Sequence, residues 1–398
     1  TRRRRQRQMC IRDRYYSSVY GPTLKNKTGF FSVRTGSLFK VRALEQWWKM
    51  NKAKSFDEFY SILEMNEIPG YNIGYADKDD NIFYISNGLI PIRNDKFKWT
   101  GVLPGNTSET LWTNYYNTHE LPQVINPESG YIYNANHSPF KSTSIDENPN
   151  PKDFPSNMGY ETFDNNRSSR IFELVESYKS IDYEDFKKIK YDNKFPTPFN
   201  YNFMDVNKIM EMKPDDYPEI ADLIKQIQNW DRSTDAASTG AGAYAMFYYT
   251  LADKYFYKSY YDRNFSKSLI ADCLVEVKKR MKKYFNSTII KLGDFQKLVR
   301  GDKEMPIFGM PDVITAMNAS KYKDGKVQVT HGESYIQLVK FSSKGTEIES
   351  IISYGSSDNE ESPHYDDQME KYSKFQTKKM SFDRDWVLNN SKRIYNPR

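Results

Sequence analysis

The order of predicted elements along the 398 residues predicts an α+β fold with a mainly helical insertion. Two short helices and a hairpin follow one another within residues 44–85, an order that is typical of α+β rather than parallel α/β proteins. Helical periodicity dominates from residue 166 to about residue 284. Strand patterns return after Lys326, so we expect the late strands to rejoin the first sheet.

These patterns divide the chain into four segments. Residues 1–14 form an Arg-rich leader of non-native character, and residues 15–165 hold a partial sheet, helices and cleft loops. Residues 166–326 are the mainly helical insertion, and residues 327–398 are C-terminal strands and a tail returning to the sheet. The alternative is two separate domains with a boundary near residue 166.

The net charge of +6 comes entirely from the leader, which holds seven Arg and one Asp. The remaining residues carry 51 basic and 51 acidic side chains. Binding to nucleic acid needs a basic surface on the folded body, so this balance argues against a nucleic-acid partner. No run approaches the roughly 20 apolar residues that span a bilayer, so no membrane partner is expected. We interpret the leader as foreign sequence, which would mean that the native chain is truncated upstream of Tyr15.

The first elements carry clear local signals. Strand-like and turn-like pieces alternate up to about residue 39, and Leu44–Ala53 is predicted to be a helix. Ser55 and Glu58 form a capping box that starts a second helix, which must end before Pro69.

A hairpin follows the second helix. A buried-looking Asn72 opens its first strand, Asp77–Asn81 make the turn, and Ile82–Ile85 pair back. The carboxylates of the turn are close enough to suggest calcium, but the EF-hand pattern is not met. A polar turn accounts for them without an ion.

Residues 94–165 are rich in loops, which is typical of a segment that shapes a cleft. One strand is predicted inside them, over Ser129–Asn136. The later predicted helices are Ile171–Tyr178, Tyr183–Ile189, Val206–Met212, Tyr217–Trp230, Ala241–Tyr260 and Ser268–Tyr284, and the later strands are Val327–Thr330, Ser334–Phe341 and Glu347–Tyr354, with a last short helix near Phe382.

Two residues beside the hairpin have the chemistry of an oxyanion site. An Asn amide on a rigid strand can stabilise the tetrahedral intermediate of amide hydrolysis, which suits Asn72. A nearby Arg adds a permanent positive charge, which suits Arg93. A structural Asn at a strand end is the alternative on chemistry alone. The four His have no metal-ligand spacing, and no G-x-S-x-G elbow is present.

Several motifs occur in an order that resembles the penicillin acylase family of N-terminal-nucleophile (Ntn) amidohydrolases. The hairpin resembles that family's N-x-x-Y-A-D-x-x-G-N-I-x-Y strand. The other matching segments are Gly21–Pro22, Trp47–Phe56, Leu121–Asn136, Asn229–Asp231, Gly332–Tyr335 and Ser362–Gln368. They are more similar to the branch that holds acyl-homoserine-lactone and aculeacin acylases.

The resemblance implies an incomplete Ntn-hydrolase four-layer αββα sandwich in which Asn72 belongs to the oxyanion hole and Arg93 supports it. It implies hydrolysis of a non-peptide acyl amide such as a β-lactam side chain, a lipopeptide or an acyl-homoserine lactone. The family's Ser nucleophile, which self-cleavage of a zymogen exposes at the amino terminus of the large subunit, is absent from this chain. We therefore expect a truncated, inactive fragment.

The same resemblance implies partners and a location. The partners are a small subunit, the N-terminal part of the large subunit and a small acyl-amide substrate, and the location is the bacterial periplasm or exterior. No cofactor is implied, apart from an optional structural calcium ion in the intact enzyme. The alternative function is a non-catalytic module that binds sugars or peptides through its 31 Tyr residues. The ordered motifs favour the amidase, and we expect Asn72 and Arg93 to lie close together at the edge of an exposed cleft.

Overall fold

The computed structural model describes residues 15–199, 207–259 and 265–396. The Arg-rich leader lies outside the described residues, as does the start of the helix predicted from Val206. Contacts within the chain define two compact units, Thr1–Phe163 and Asp164–Arg398. The return of the C-terminal strands to the first sheet stays a prediction.

The first unit contains two three-stranded antiparallel sheets and two short helices. Its strands are β1 (Tyr16–Ser18), β2 (Gly21–Asn26), β3 (Gly29–Ser32), β4 (Tyr71–Ala76), β5 (Ile82–Asn87) and β6 (Gln123–Ile125), and its helices are α1 (Ala43–Met50) and α2 (Phe56–Leu63). The sheet orders are β1-β2-β3 and β4-β5-β6. Short 3-10 turns lie at Ser108–Thr110, Thr118–Glu120, Ile145–Glu147, Pro151–Asp153 and Ser156–Met158.

Helix α2 begins where the capping box predicts. The Ser55 side chain accepts a hydrogen bond from the Glu58 backbone NH at 3.2 Å. The Glu58 carboxylate accepts one from the Lys54 NH at 2.8 Å, one residue before the expected partner. These bonds satisfy donors that a helix start leaves without partners. The helix then buries Phe59 and Leu63 against β5, in a small core that includes Phe83 and Ile85.

The β4–β5 hairpin forms with Asn72 paired to Ser86 and Gly74 paired to Tyr84. Strand β5 is the central strand and is mostly buried, whereas β4 is an edge strand with alternating exposed and half-buried side chains. Asp77 closes the turn by accepting hydrogen bonds from the backbone NH groups of Asp79 and Asn81. This confirms the polar turn that the sequence predicts.

The strand predicted over Ser129–Asn136 is wrong. The structure shows irregular extended chain there, and the third strand of the sheet is Gln123–Ile125. The Tyr133 NH donates to the Ser142 carbonyl, and the Tyr131 carbonyl accepts from the Thr143 hydroxyl. The second of these bonds comes from a side chain, which can compete with the backbone bonds of a strand ladder.

The second unit contains most of the helices and two further sheets. Its helices are α3 (Asn166–Ser177), α4 (Tyr183–Lys190), α5 (Ala221–Gln228), α6 (Thr239–Ser259), α7 (Lys267–Phe285), α8 (Leu292–Phe295), α9 (Met369–Ser373) and α10 (Arg384–Asn390). Its strands are β7 (Gln296–Arg300), β8 (Lys303–Pro306), β9 (Met317–Lys321), β10 (Val327–Gly332), β11 (Tyr335–Ser342), β12 (Gly345–Ile352) and β13 (Lys378–Met380). Short 3-10 turns lie at Asn207–Glu211, Pro214–Asp216 and Lys323–Gly325.

The two sheets of this unit have the orders β8-β7-β10-β9 and β11-β12-β13. Strands β7, β8 and β9 lie inside the segment predicted to be mainly helical, and the sequence analysis missed them. Each is only four or five residues long, and β7 pairs in parallel with the distant β10. Such short strands give a weak alternation signal, and a non-local pairing leaves no turn signature.

The largest core of the second unit lies among α5, α6 and α7. It includes Leu223, Tyr244, Phe247 and Leu274, and it buries Cys273 as the sequence predicts. Gly242 permits the close approach of α6, since a Cβ there would lie 2.1 Å from the Ile290 carbonyl oxygen. Over the parts of the chain that the structure describes, none of the helices has the length and apolar character needed to cross a bilayer.

Candidate active site

Asn72 lies on the outer strand of the β4–β5–β6 sheet and lines an open groove. The groove has a volume of about 330 Å³ and lies entirely within the first unit. Its other lining residues are Ser86, Asn136, His137, Pro139, Gly159, Tyr160 and Glu161. The Asn72 side chain is exposed, so its expected burial is wrong, because edge strand β4 has no neighbour beyond it among the described residues. The exposure is toward a groove, which a site for a small substrate requires.

The Asn72 amide is held in one orientation by Tyr84 of the neighbouring strand. The Tyr84 hydroxyl donates a hydrogen bond of 2.8 Å to Asn72 Oδ1. Asn134 Nδ2 donates to the same hydroxyl oxygen at 3.4 Å. The hydroxyl thus gives its one proton to Asn72 and uses an oxygen lone pair to accept from Asn134. The Asn72 Nδ2 group, which makes no hydrogen bond among the described residues, is then the donor left for a ligand.

The pairing register brings these side chains together. Asn72 and Tyr84 are diagonal neighbours across the hairpin, so their side chains share one face of the sheet. Gly74, which lies directly opposite Tyr84, has no side chain to separate them. Tyr84 is only 1% exposed, and burial raises the pKa of its hydroxyl to about 12. The hydroxyl therefore keeps its proton, and remains a donor, at neutral pH.

His137 and Tyr160 form fixed walls of the groove. His137 Nδ1 accepts from the Ala135 NH at 3.1 Å, so Nε2 carries the ring proton and donates to the Lys141 carbonyl at 2.7 Å. The ring also stacks on Tyr133, with 5.0 Å between the ring centroids. The Tyr160 hydroxyl donates to the Ser86 carbonyl at 3.2 Å. Neither side chain is arranged as a proton-transfer group, and both act as structural walls.

Arg93 follows the hairpin and binds backbone carbonyl groups. Its Nη1 donates to the carbonyls of Asn157 and Met158, and Asn157 Nδ2 donates back to the Arg93 carbonyl at 3.0 Å. Trp99 and Trp112 lie 5.8 and 5.9 Å from the guanidinium carbon, in cation–π contact. Burial lowers the pKa of the Arg93 guanidinium. The side chain is thus held firmly by a turn and two rings.

Arg93 is connected to the Asn72 groove only indirectly, because it binds the turn that contains Asn157 and Met158. It makes no hydrogen bond to Asn72 among the described residues. The turn ends at Gly159, which lines the groove and has a left-handed φ of 82°. A Cβ at Gly159 would lie 3.5 Å from Arg93 Nη1. Arg93 itself lines a separate pocket of about 130 Å³ with Trp99 and Trp112. Its place in the structure is that of a support for one wall of the groove.

The residues that line the groove can form hydrogen bonds with a ligand, and one of them, Glu161, has a carboxylate side chain. Within residues 15–199, 207–259 and 265–396, no group of three or more His, Cys, Asp or Glu side chains is placed to hold a metal ion. The sequence motifs indicate Asn72 and Arg93 but not Tyr84, which is a further residue of the site. The signal for Tyr84 was present, since a hairpin register with Asp77–Asn81 as its turn places residue 84 diagonally across from residue 72 on the same face.

Comparisons with known proteins point to one family. The family model described as Penicillin amidase matches residues 3–388. The chain is 24% identical over 425 aligned positions to an acyl-homoserine lactone acylase, PvdQ, from Pseudomonas syringae pv. syringae, covering 92% of this chain and 53% of the relative. It is 30% identical over 130 positions to penicillin G acylase from Escherichia coli, covering 32% of this chain and 15% of the relative.

A solved structure shows the same fold. A thermostable penicillin G acylase from Alcaligenes faecalis superposes with a TM-score of 0.61 at 14% identity, covering 96% of this chain and 79% of that one. This likeness and the mixed helix and strand content confirm the predicted α+β fold of Ntn-hydrolase type. The chain spans about half the length of the full-length acylases it matches along most of its own length. The match to the Penicillin amidase model over nearly the whole chain shows that it belongs to the penicillin amidase family.

Proposed function

We propose that this chain supplies the oxyanion-stabilising part of the active site of an enzyme that hydrolyses a non-peptide acyl amide. The observation that carries the proposal is the Asn72 amide, whose oxygen is held by Tyr84 and whose Nδ2 remains as a donor beside a groove. The relatives named as acylases act on amides of this kind. Arg93 supports the site by holding the turn that ends at Gly159.

The chemistry follows from the charge that develops during hydrolysis. Attack of a nucleophile on the amide carbon forms a tetrahedral intermediate, and the former carbonyl oxygen becomes negatively charged. Asn72 Nδ2 would donate to that oxygen from a position fixed before the reaction begins. One such donor is worth about 10²- to 10³-fold in kcat, because it need not reorganise as charge develops. Breakdown of the intermediate expels the amine.

We infer that the nucleophile is the amino-terminal Ser typical of Ntn hydrolases and that it lies outside this chain. Two observations support this inference. The chain aligns with only 53% of the acyl-homoserine lactone acylase, and its motifs match the part that follows the nucleophile in the family's order. The α-amino group of that Ser would act as the base. The remaining partners would be a small subunit and the N-terminal part of the large subunit, in the periplasm or outside the cell.

The substrates most consistent with the relatives' names are N-acyl-homoserine lactones and penicillin G. A lipopeptide is a third member of the same class. All three present an acyl group in amide linkage to an amine, which belongs to a homoserine lactone, a β-lactam nucleus or a peptide, and a groove of about 330 Å³ can accept such a molecule in part. The other part of the substrate would contact residues that this chain does not supply.

The decisive experiment uses the full-length protein that contains this chain. The Asn72→Ala variant should lose about 10²- to 10³-fold in kcat toward N-dodecanoyl-homoserine lactone or penicillin G while remaining folded, with a lower melting temperature because the buried Tyr84 hydroxyl loses its acceptor. An exposed asparagine outside the groove, replaced in Asn390→Ala, provides the matched control and should keep normal kcat. An active protein whose kcat is insensitive to Asn72→Ala would contradict the proposal.

A second measurement addresses the nucleophile. The 398-residue chain alone should release no amine from either substrate, because the attacking group is supplied elsewhere. Turnover by the chain alone, with its rate proportional to protein concentration and lost on heating, would show that the nucleophile lies within it.

A further inference from the structure

The Asn72 side chain alone does not determine which of its two polar atoms faces the groove. Asn72 is exposed on an edge strand, and the amide oxygen and nitrogen differ little in size. The terminal torsion of Asn is broad and roughly two-fold, so both orientations are accessible to an unanchored side chain. The two orientations have opposite chemical effects, because Nδ2 donates to an oxyanion whereas Oδ1 repels it.

We propose that Tyr84 is a positioning residue that selects the amide orientation in which Asn72 Nδ2 faces the groove. This inference rests on the proposed function. The hydroxyl of Tyr84 lies 2.8 Å from Asn72 Oδ1 and donates its proton there. Tyr84 does not line the groove itself, so its effect on the reaction passes through Asn72.

The surroundings of Tyr84 fix the direction of this hydrogen bond. Asn134 Nδ2 donates to the hydroxyl oxygen and thereby uses one of its acceptor positions. A tyrosine hydroxyl has a single proton, and Asn72 Oδ1 is the acceptor within 2.8 Å. If Asn72 were flipped, its Nδ2 would compete with Asn134 Nδ2 for the lone pairs of the hydroxyl, and the hydroxyl proton would lose Asn72 Oδ1 as its acceptor. The hydrogen bonds of this network therefore run in one direction, from Asn134 to Tyr84 and from Tyr84 to Asn72.

Burial makes Tyr84 a rigid anchor. Its ring is 1% exposed in central strand β5, between the completely buried side chains of Phe83 and Ile85 in the sequence. A hydrogen bond from a fixed group restricts a partner more effectively than one from a mobile surface side chain, because less side-chain entropy is lost when it forms. Edge strand β4 thus carries the Asn72 amide that would donate to the oxyanion, and Tyr84 of the buried neighbouring strand fixes the orientation of that amide.

Removal of the Tyr84 hydroxyl should reduce catalysis without removing the donor. In Tyr84→Phe the ring volume is kept, and Asn72 can populate both amide orientations. We expect kcat to fall about two- to tenfold, with KM changed less than twofold: an even split between the orientations halves the competent fraction, and a donor that must become ordered as charge develops lowers kcat further. A purely structural role for Tyr84 would change stability or KM and leave no selective effect on kcat.

The test is a double-mutant cycle in the full-length protein. If Tyr84 acts through Asn72, Tyr84→Phe lowers kcat in the wild-type background and has no further effect in the Asn72→Ala background. Tyr75→Phe is the matched control, because it removes a hydroxyl from the opposite face of the same hairpin, where that hydroxyl donates to Asp77. Its kcat should equal that of the wild type.

The outcomes separate this inference from the proposed function. An unchanged kcat in Tyr84→Phe, or a loss that multiplies fully with that of Asn72→Ala, would overturn the positioning role. An active enzyme that tolerates Asn72→Ala would instead overturn the function of Asn72. If Tyr84→Phe does not fold, Asn134→Ala serves in its place, with an expected two- to threefold loss of kcat that also disappears in the Asn72→Ala background.

Discussion

Strand β4 and helix α6 place their side chains in opposite environments. Strand β4 is an edge strand with Asn72 exposed to a groove. Helix α6 buries Tyr244, Met246 and Phe247 completely, and Gly242 brings its backbone against Ile290. The described part of α6 is therefore constrained by volume on several sides, whereas β4 is constrained by hydrogen bonds from one neighbour.

Because their surroundings differ, the two regions should respond differently to amino-acid substitution. In α6 a substitution changes packing, and the cost appears as lost stability. On edge strand β4 Asn72 is exposed, so a substitution there or at the hydroxyl of Tyr84 chiefly changes the orientation or presence of one polar atom. We expect stability and activity to respond separately in the two regions, and three experiments test that separation.

The largest effect on stability should come from Phe247→Ala in α6. Phe247 is completely buried in the core of the second unit, and removal of such a side chain costs about 3–5 kcal/mol in the free energy of unfolding. Urea unfolding measures the change. Phe186→Ala is the control, because Phe186 is 45% exposed on α4, and the loss should be below about 1 kcal/mol. Equal losses in the two variants would contradict the packing difference.

Arg93→Lys should have a smaller effect than Phe247→Ala on stability, and it should also lower activity. Lysine keeps the charge but lacks the planar guanidinium that lies beside Trp99 and Trp112 and binds two carbonyls. We expect a loss of about 1–2 kcal/mol in stability and a fall in kcat/KM of several fold, because the turn before Gly159 loosens. Arg42→Lys, at an exposed ion pair with Glu45, is the control and should change neither quantity. A normal kcat/KM in Arg93→Lys would show that this turn does not shape the groove.

The smallest effect should be a pH-dependent one at Asp77. Burial opposes ionisation of this carboxyl, but hydrogen bonds from Asn81 and Tyr75 outweigh it and lower the pKa of Asp77. A lowered folded-state pKa means that the stabilisation is fully present above the unfolded-state pKa near 4 and is lost as pH falls through the folded-state pKa. Asp77→Asn should therefore cost about 1 kcal/mol at pH 7 and less at pH 3.

Urea unfolding at the two pH values measures this difference, and Asp79→Asn in the same turn is the control. Asp79 is 59% exposed and pairs with Lys78 at the surface, so its replacement should cost little at either pH. A cost at Asp77 that is the same at pH 7 and pH 3 would show that its charge does not hold the turn.

The sequence predicts those parts of the fold whose signals are local. The capping box at Ser55 and the polar turn at Asp77 both form, because each is determined by residues within five positions. The strand expected over residues 129–136 does not form, since Thr143 supplies a side-chain donor that no period-two pattern reveals. Strands β7 to β9 were missed because each has only four or five residues, too few for a clear period-two pattern, and because β7 also pairs with the distant β10.

The candidate site was predictable in its residues and less so in its geometry. The order of the motifs indicated Asn72 and Arg93, because the resemblance to the family lies in residue types at corresponding places along the chain. It did not give the exposure of Asn72, which depends on which strand lies at the sheet edge. It also did not show that Arg93 binds the carbonyls of Asn157 and Met158 instead of Asn72, since backbone acceptors leave no mark on residue type.

Two positions of the groove wall, Gly159 and Glu161, differ in how well they should tolerate substitution. The left-handed φ of 82° at Gly159 leaves little tolerance for a side chain, although a Cβ there would lie at an ordinary contact distance of 3.5 Å from Arg93 Nη1. Two residues later, Glu161 is exposed and lines the same groove, and no ion pair joins it to another described residue. Mutant libraries intended to alter substrate preference should therefore keep position 159 fixed and diversify position 161, where the cost in folding is expected to be small.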